Sequence, residues 1–173
     1  MSYDRGGKRA AQLKAVRLPE GVSTALTEIK LATFMDIESI LELLRMQFME
    51  HGIEVDTNHL RDSIIHILNH AELGAILLAM KETHFLGCAV LSFTWTLEHG
   101  GKSAWLDELY VVPDQRNKGI GENLLDSALL EAKKQGCVAV DLEVDEGHRR
   151  AENLYRRNEF QPLARKRWVK RLR

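Results

Sequence analysis

The sequence predicts an α/β domain with a mixed, mostly antiparallel central sheet and helices on both of its faces. Three observations support this prediction. Apolar residues recur every three or four positions in two segments before residue 70, as they do in amphipathic helices. Three strand-like segments then follow one another without a helix between them, which predicts an antiparallel meander. The chain has 173 residues, 45% of them hydrophobic, and is therefore long enough to bury one core.

The first half of the predicted order β-α-α-β-β-β-α-β-α-β starts with a strand. TEIKLAT (27–33) alternates as a strand does. A helix follows from about residue 35 to 52, and a second helix begins after Asp56, whose carboxylate suits the N-cap position. The meander strands are predicted at 74–81, 84–98 and 102–112.

The second half begins at a glycine-rich turn. A helix is predicted from 119 to 135, with Gly136 as its C-terminal cap. The alternating valine and leucine residues of CVAVDLEV predict a strand at 137–144. A short helix at 148–158 and a final strand around 165–169 complete the order.

Charge is distributed unevenly along the chain. The formal net charge is -1, but residues 1–26 carry +3 and residues 161–173 carry +6, which leaves -10 for residues 27–160. We expect residues 1–26 to form a mobile basic arm and residues 27–173 to form one domain. An acidic body fits a cationic partner or a solvated surface, and it argues against nucleic acid as the partner.

Several classes of protein are excluded on pattern. No apolar run reaches the roughly 18 residues of a membrane span, and the polar N-terminus does not resemble a signal peptide, so we expect no membrane contact and a cytoplasmic location. His66 and His70 have the spacing of a metal pair on a helix, but no third ligand is apparent and no metal site is predicted.

The most informative stretch is the turn that leads from the third meander strand into the next helix. Gly119 and Gly121 leave the backbone open where the unpaired N–H groups of a helix N-terminus attract anions. Arg116 and Lys118 add positive charge beside them. Leu124 stands where a dinucleotide-binding G-x-G-x-x-G turn has its third glycine. The turn therefore predicts a pyrophosphate site of another kind, or close packing of helix on strand.

Three segments resemble the GNAT superfamily of N-acetyltransferases. QRNKGIG (115–121) resembles the acyl-CoA pyrophosphate loop of that family, with Arg116, Gly119 and Gly121 on its defining positions. AENLYRRNEF (151–160) resembles the family's closing element, and DELYVVP before the loop resembles its fourth strand. The predicted order of elements also fits the GNAT fold.

Two positions depart from the family pattern. His148 replaces a frequent asparagine, and Glu159 replaces the glycine that usually precedes Phe160. We expect Asn158 to supply the left-handed turn instead, because asparagine tolerates a positive φ.

The resemblance implies that acetyl-CoA is the acyl donor. The pantetheine arm should pair with the fourth strand through the backbone of Leu109, Val111 and Val112, with an N–H near Leu109 polarising the thioester. The pyrophosphate should lie against the loop residues Arg116, Asn117, Lys118, Gly119, Ile120 and Gly121.

The resemblance also implies a set of catalytic residues. Tyr155 occupies the family's proton-donor position, the alternative being an aromatic core residue. Asp107 and Glu108 match an acid pair in the spermidine/spermine N-acetyltransferases, and we expect Asp107 to act as base and Glu108 to anchor the amine. Adjacent strand residues point to opposite faces, so only one of the two should face the cleft. A helix cap or an ion pair with arginine is the alternative for either acid.

The function implied is transfer of an acetyl group from acetyl-CoA to a primary amine of a cationic small molecule, by direct attack in a ternary complex. Acetylation of a peptide or protein, and a non-catalytic acyl-CoA-binding regulatory module, are the alternatives. Dimers are common in the family, which leaves a homodimer open.

Overall fold

The computed structural model describes residues 26–172. Apart from Leu26, the predicted basic arm at 1–26 lies outside the described residues and stays a prediction. The elements run β1 (Glu28–Leu31), α1 (Ile37–Glu50), α2 (Thr57–Asn69), β2 (Gly74–Lys81), β3 (His84–Thr96), β4 (Gly101–Val111), α3 (Ile120–Lys134), β5 (Ala139–Leu142) and α4 (Arg149–Arg157). None of the helices in this part of the chain is long and apolar enough to cross a membrane.

The five strands form one sheet in the order β1-β2-β3-β4-β5. The pairs β1–β2, β2–β3 and β3–β4 are antiparallel, whereas β4 and β5 are parallel. The prediction of a mixed, mostly antiparallel sheet is confirmed. Because β5 arrives through the crossover helix α3, it can run parallel to β4, whereas short turns keep the earlier pairs antiparallel.

Both faces of the sheet are covered. On one face α1 and α2 bury Ile40 and Ile64, which are 0% and 2% exposed, in a cluster with residues of β2, β3 and β4. On the other face α3 buries Leu124 and Leu125, both 0% exposed, in a second cluster. The predicted period of three to four residues therefore marks the buried stripes of these helices.

Asp56 caps α2 as predicted. Its carboxylate accepts hydrogen bonds from the backbone N–H groups of Asn58 at 2.8 Å and His59 at 3.0 Å. These two bonds hold the pKa of Asp56 below its ordinary value.

The final strand predicted around 165–169 is wrong. Residues 164–172 form neither strand nor helix and are exposed. Side-chain ion pairs hold this tail instead of a backbone ladder: Arg165 binds Glu98 at 2.6 and 2.7 Å, and Arg167 binds Glu143 at 2.8 Å. With five basic residues between 165 and 171, the tail gains more from acidic partners than from burial.

Candidate active site

A β-bulge interrupts β4 at Asp107. Val90 of β3 lies opposite Glu108, while the next residue, Leu91, lies opposite Leu106. Asp107 is therefore an extra residue with no partner on β3, and side-chain alternation along β4 is shifted at this point.

The bulge brings both carboxylates to the face that α1 and α2 cover. Glu108 accepts a hydrogen bond from Nε2 of Gln47 on α1 at 2.5 Å. Asp107 is hydrogen-bonded to Ser92, which lies on the same face of β3 as the buried Cys88. The prediction that Asp107 and Glu108 point to opposite faces is wrong, because strict alternation does not hold across a bulge.

One edge of β4 is unpaired beyond the bulge. β5 pairs with β4 only at Ser103–Leu106. Backbone groups alternate between the two edges of a strand, and the N–H of Val112 donates to the carbonyl of Leu86 on the β3 side at 2.9 Å. The backbone groups of Leu109 and Val111 therefore point to the unpaired edge, where an extended ligand can pair with them.

Val112 is the one predicted backbone contact that the structure does not favour. Its N–H is bonded to β3, and its carbonyl accepts from the N–H of Gln115 at 3.0 Å. The carbonyl of Val111 accepts from Nε of Arg116 at 2.7 Å. The unpaired edge thus offers both backbone groups of Leu109 and the N–H of Val111.

The predicted pyrophosphate loop ends at the N-terminus of α3. Gly119 is the N-cap and has φ 81°, and nothing lies within 4 Å of where a Cβ on it would stand. Asn117 has φ 61° and is exposed together with Lys118, whereas Ile120 is buried and anchors the first turn. The N–H groups at the start of α3 are consequently open to an anionic ligand.

Arg116 is bound within the protein. Its guanidinium forms two hydrogen bonds with Glu50 at the end of α1, at 2.7 and 2.6 Å, and lies 5.5 Å from the ring centre of Tyr110. The arginine holds the pKa of Glu50 below its ordinary value. Arg116 thus joins α1 to β4 and the loop, a contact that the motif did not predict.

Glu108 and Tyr155 lie close enough for the charge of the carboxylate to affect the pKa of the phenol. Burial, and after it the negative charge of Asp107, raise the pKa of Glu108 to about 7, against the opposing hydrogen bond from Gln47. Burial and then the charge of Glu108 raise the pKa of Tyr155 to about 12. The more exposed Asp107 also has a raised pKa because of partial burial. At neutral pH the site therefore combines a half-ionised carboxyl with a protonated phenol.

Tyr155 and Asp107 line the same open cavity of about 1560 Å³. The cavity runs along β5 and α4, and Phe160 holds the Tyr155 ring edge-on with the ring centres 5.6 Å apart. Eight acidic and five basic side chains line the cavity, which gives it a negative balance. The arrangement suits a cationic molecule that approaches a polar centre.

The turn after α4 differs from the prediction. Glu159 itself adopts the left-handed conformation with φ 64°, whereas Asn158 has φ -95° and donates from Nδ2 to the carbonyl of Leu154 at 3.0 Å. The expected exchange of roles is wrong, because the Asn158 side chain serves the helix end instead.

Gln47 is the site residue that the sequence interpretation missed. Only 8% of it is exposed, and its Oε1 is buried without a hydrogen-bond partner among the described residues. A signal was available: position 47 continues the buried stripe of Ile40 and Leu44, where a polar residue is unusual.

Comparisons with known proteins agree with this geometry. The family model described as Acetyltransferase (GNAT) family matches residues 37–160. The uncharacterized N-acetyltransferase YhfO of Bacillus subtilis (strain 168) is 31% identical over 93 residues, which cover 54% of this chain and 61% of that protein. The thialysine N-epsilon-acetyltransferase of Mus musculus is 27% identical over 143 residues, covering 78% and 82% of the two chains.

A solved structure shows the same fold. It is a predicted acetyltransferase with acetyl-CoA from Clostridium acetobutylicum, with a TM-score of 0.73, 18% identity and coverage of 84% of this chain and 96% of that one. The family model spans more than half of the chain and includes β4, the loop and α4. The chain belongs to the GNAT family of acetyltransferases, whose acyl donor is acetyl-CoA.

Proposed function

We propose that the protein transfers the acetyl group of acetyl-CoA to a primary amine of a small cationic molecule, by direct attack in a ternary complex. The observation that supports this proposal is the pair of Glu108 on β4 and Tyr155 on α4, which lie close enough for the charge of Glu108 to act on the phenol, with the pKa of Glu108 at about 7 and one edge of β4 unpaired. A base near neutrality and a protonated acid are what aminolysis of a thioester requires.

The donor is held by backbone groups. The N–H groups at the start of α3 receive the pyrophosphate, and Lys118 adds charge at its rim. The backbone of Leu109 and the N–H of Val111 pair with the pantetheine arm. The Leu109 N–H then lies where it polarises the thioester carbonyl as negative charge develops on the oxygen. Arg116 contributes by bracing the loop through Glu50.

Glu108 removes the first proton. An amine enters as R–NH₃⁺, and the ionised Glu108 takes one proton to give the nucleophilic R–NH₂. The nitrogen lone pair attacks the carbonyl carbon, and a C–N bond forms as the carbonyl π electrons move to oxygen. We assign the base to Glu108 instead of Asp107, because Asp107 lies in the bulge and is held by Ser92. Burial raises the pKa of Glu108, and the Asp107 charge adds to that effect.

Tyr155 donates a proton to the leaving thiolate. When the intermediate collapses, the C–S bond breaks and the electron pair leaves on sulfur. The phenol, which stays protonated at neutral pH, hydrogen-bonds to the thiolate and passes its proton while it receives the second proton of the attacking nitrogen. The products are the amide and CoA thiol, and Glu108 returns its proton to solvent.

The charge of the cavity supports a cationic acceptor. Acidic side chains outnumber basic ones along its wall. The mouse relative, which is named for acetylating thialysine at its ε nitrogen, fits the same chemical class.

The test is release of CoA thiol from acetyl-CoA with polyamines, thialysine, aminoglycosides, amino acids and basic peptides. We expect turnover with a small cationic amine, loss of turnover in Glu108→Gln, and unchanged turnover in Asp126→Asn on the exposed side of α3. Transfer to peptides alone would establish the peptide acetyltransferase instead. Acetyl-CoA binding without transfer to any acceptor would contradict the proposal and favour a non-catalytic module.

A further inference from the structure

Gln47 presents an unused acceptor beside the proposed base. Its Nε2 donates to Oε2 of Glu108 at 2.5 Å, which fixes the carboxamide against the carboxylate. Its Oε1 is buried and lacks a partner among the described residues. A buried acceptor without a donor is unfavourable, so this oxygen is a site for an N–H or O–H group that a ligand brings.

The geometry allows one nitrogen to reach both residues. The oxygen and nitrogen of a carboxamide are roughly 2.3 Å apart, so Gln47 Oε1 stands roughly 3.5 to 4.5 Å from Glu108 Oε2. A nitrogen that makes two hydrogen bonds of about 2.8 Å bridges a gap of this size. The same atom can thus donate to the carboxylate and to the carboxamide.

We propose that Gln47 is an acceptor-binding residue, whose Oε1 accepts an N–H of the attacking amine while Glu108 receives another proton of the same nitrogen. The inference rests on the proposed function and adds the residue that orients the nucleophile. After one proton moves to Glu108, R–NH₂ keeps an N–H on Gln47, and its lone pair is directed away from both oxygens.

Gln47 and Glu108 together should also discriminate between amines and alcohols. A hydroxyl group has one hydrogen, so it satisfies Glu108 or Gln47 but not both. The alcohol therefore leaves a buried oxygen without a donor, which disfavours its binding. Gln47 and Glu108 together recognise nitrogen with at least two hydrogens.

The test compares two substitutions of Gln47. Gln47→Met keeps the length of the side chain and removes the acceptor, so kcat/KM for the amine should fall about 10- to 100-fold, mainly through KM. Gln47→Glu keeps an acceptor oxygen, so KM should stay near that of the wild type above the acidic limb of the pH profile. Both variants lose the donor to Glu108, and both should move that limb to higher pH.

The pH at which the acidic limb falls depends on the pKa of Glu108, and therefore on the groups around its carboxylate. The titratable groups that act on Glu108 or are acted on by it are Asp107 on β4, Cys88 on β3 and Tyr155 on α4, while α1 contributes Gln47. None of these other groups is altered in the two variants, but Gln47→Glu adds a second carboxyl group beside Glu108, whose negative charge should move the limb further than Gln47→Met does. A role for Gln47 confined to its hydrogen bond with Glu108 would move the limb and leave KM for the amine unchanged in Gln47→Met, and that result would overturn the inference.

Gln135→Met is the matched control. Gln135 also donates from Nε2 to a glutamate, Glu131, at 2.9 Å, but at the far end of α3. It should change neither KM nor the limb. An active wild type whose Gln47→Met and Gln47→Glu variants behave like Gln135→Met overturns the inference alone, whereas a wild type that acetylates no amine overturns the proposed function. Should Gln47→Met fold poorly, Gln47→Leu, which also lacks the acceptor oxygen, is measured in its place, and an unchanged KM for the amine overturns the inference.

Discussion

The raised pKa of Glu108, which suits a base, also affects the free energy of unfolding. Its pKa rises from 4.5 to about 7 on folding, so the folded chain binds this proton more tightly than the unfolded chain does. Between these two values the folded state holds more protons, and the free energy of unfolding falls as the pH rises. Well above pH 7, where Glu108 is fully ionised, its ionisation lowers the free energy of unfolding no further. A base poised for catalysis at neutral pH therefore destabilises the fold at that pH.

Glu108→Gln should consequently stabilise the protein at pH 8. The amide is neutral, and it can still accept the hydrogen bond of Gln47. We expect the free energy of unfolding to rise on the order of 1 to 3 kcal/mol at pH 8 and to match the wild type at pH 4. Urea unfolding at the two pH values measures this difference. Equal stability of the variant and the wild type at pH 8 would show that Glu108 is not desolvated in the folded state.

Tyr155→Phe should lower kcat about 100-fold with little change in acetyl-CoA affinity. The phenylalanine keeps the ring against Phe160 but has no proton for the thiolate. The acidic limb of the pH profile should stay in place, since the neutral phenol adds no charge near Glu108. Stopped-flow turnover and calorimetric titration with acetyl-CoA separate these effects. A variant with the kcat of the wild type would leave Tyr155 a packing residue.

The turn after α4 is strained at Glu159. A side chain other than glycine in the left-handed region costs about 1 to 2 kcal/mol, and Glu159 has φ 64°. Glu159→Gly should therefore raise the free energy of unfolding by about 1 kcal/mol. The same change inside α4, Glu152→Gly, should lower it by about 1 kcal/mol. Chemical denaturation of the two variants checks the opposite signs, and a loss of stability in both would contradict the strained turn.

Periodicity predicted the elements well where each has one buried face. The bounds of β2 match at both ends, and α2 begins directly after its predicted cap. Prediction failed where one residue breaks the period or where no face is buried. The bulge at Asp107 was not predicted because strict alternation was assumed through LDELYV, although two acidic residues in succession interrupt the alternation there. The tail contains Trp168 and Val169, residue types that favour strands, yet both are exposed and form no strand.

Some residues of the candidate site could be predicted from the sequence, and others could not. The family resemblance supplied the loop, β4 and Tyr155 as predictions, because each lies within a short continuous segment that matches the family pattern. The contacts of Glu50 with Arg116 and of Gln47 with Glu108 were not predicted, since each joins residues more than 60 positions apart. Contacts of this kind depend on how α1 lies against β4, which no local pattern encodes.

The charges of the tail should set the affinity for a cationic acceptor. Arg165 and Arg167 neutralise Glu98 and Glu143 at the rim of the cavity, and all four side chains are largely exposed. The double variant Arg165→Gln and Arg167→Gln should lower KM for the acceptor at low salt, because the rim becomes more negative. The difference should vanish at 1 M salt, where the Debye length is about 3 Å.

The control makes the same charge change elsewhere on the tail. Lys170→Gln with Arg171→Gln also removes two positive charges, from residues that do not line the cavity. Initial rates at several acceptor concentrations should show a smaller change in KM for this control. Identical changes in both double variants would mean that net charge alone matters, not the rim.

The extra residue in β4 decides which face of the sheet the side chains of Asp107 and Glu108 occupy. A strand with strict alternation can bring every second side chain to one face, so two neighbouring acids never meet there. One inserted residue reverses the parity for the remainder of β4 and leaves the hydrophobic pattern on each side intact. Substitution at Asp107 can therefore change the charge but not the facing of Glu108. Deletion of that residue would instead make Leu106 and Glu108 direct neighbours opposite Leu91 and Val90, so alternation would become regular and Glu108 would keep its face but lose the acid beside it.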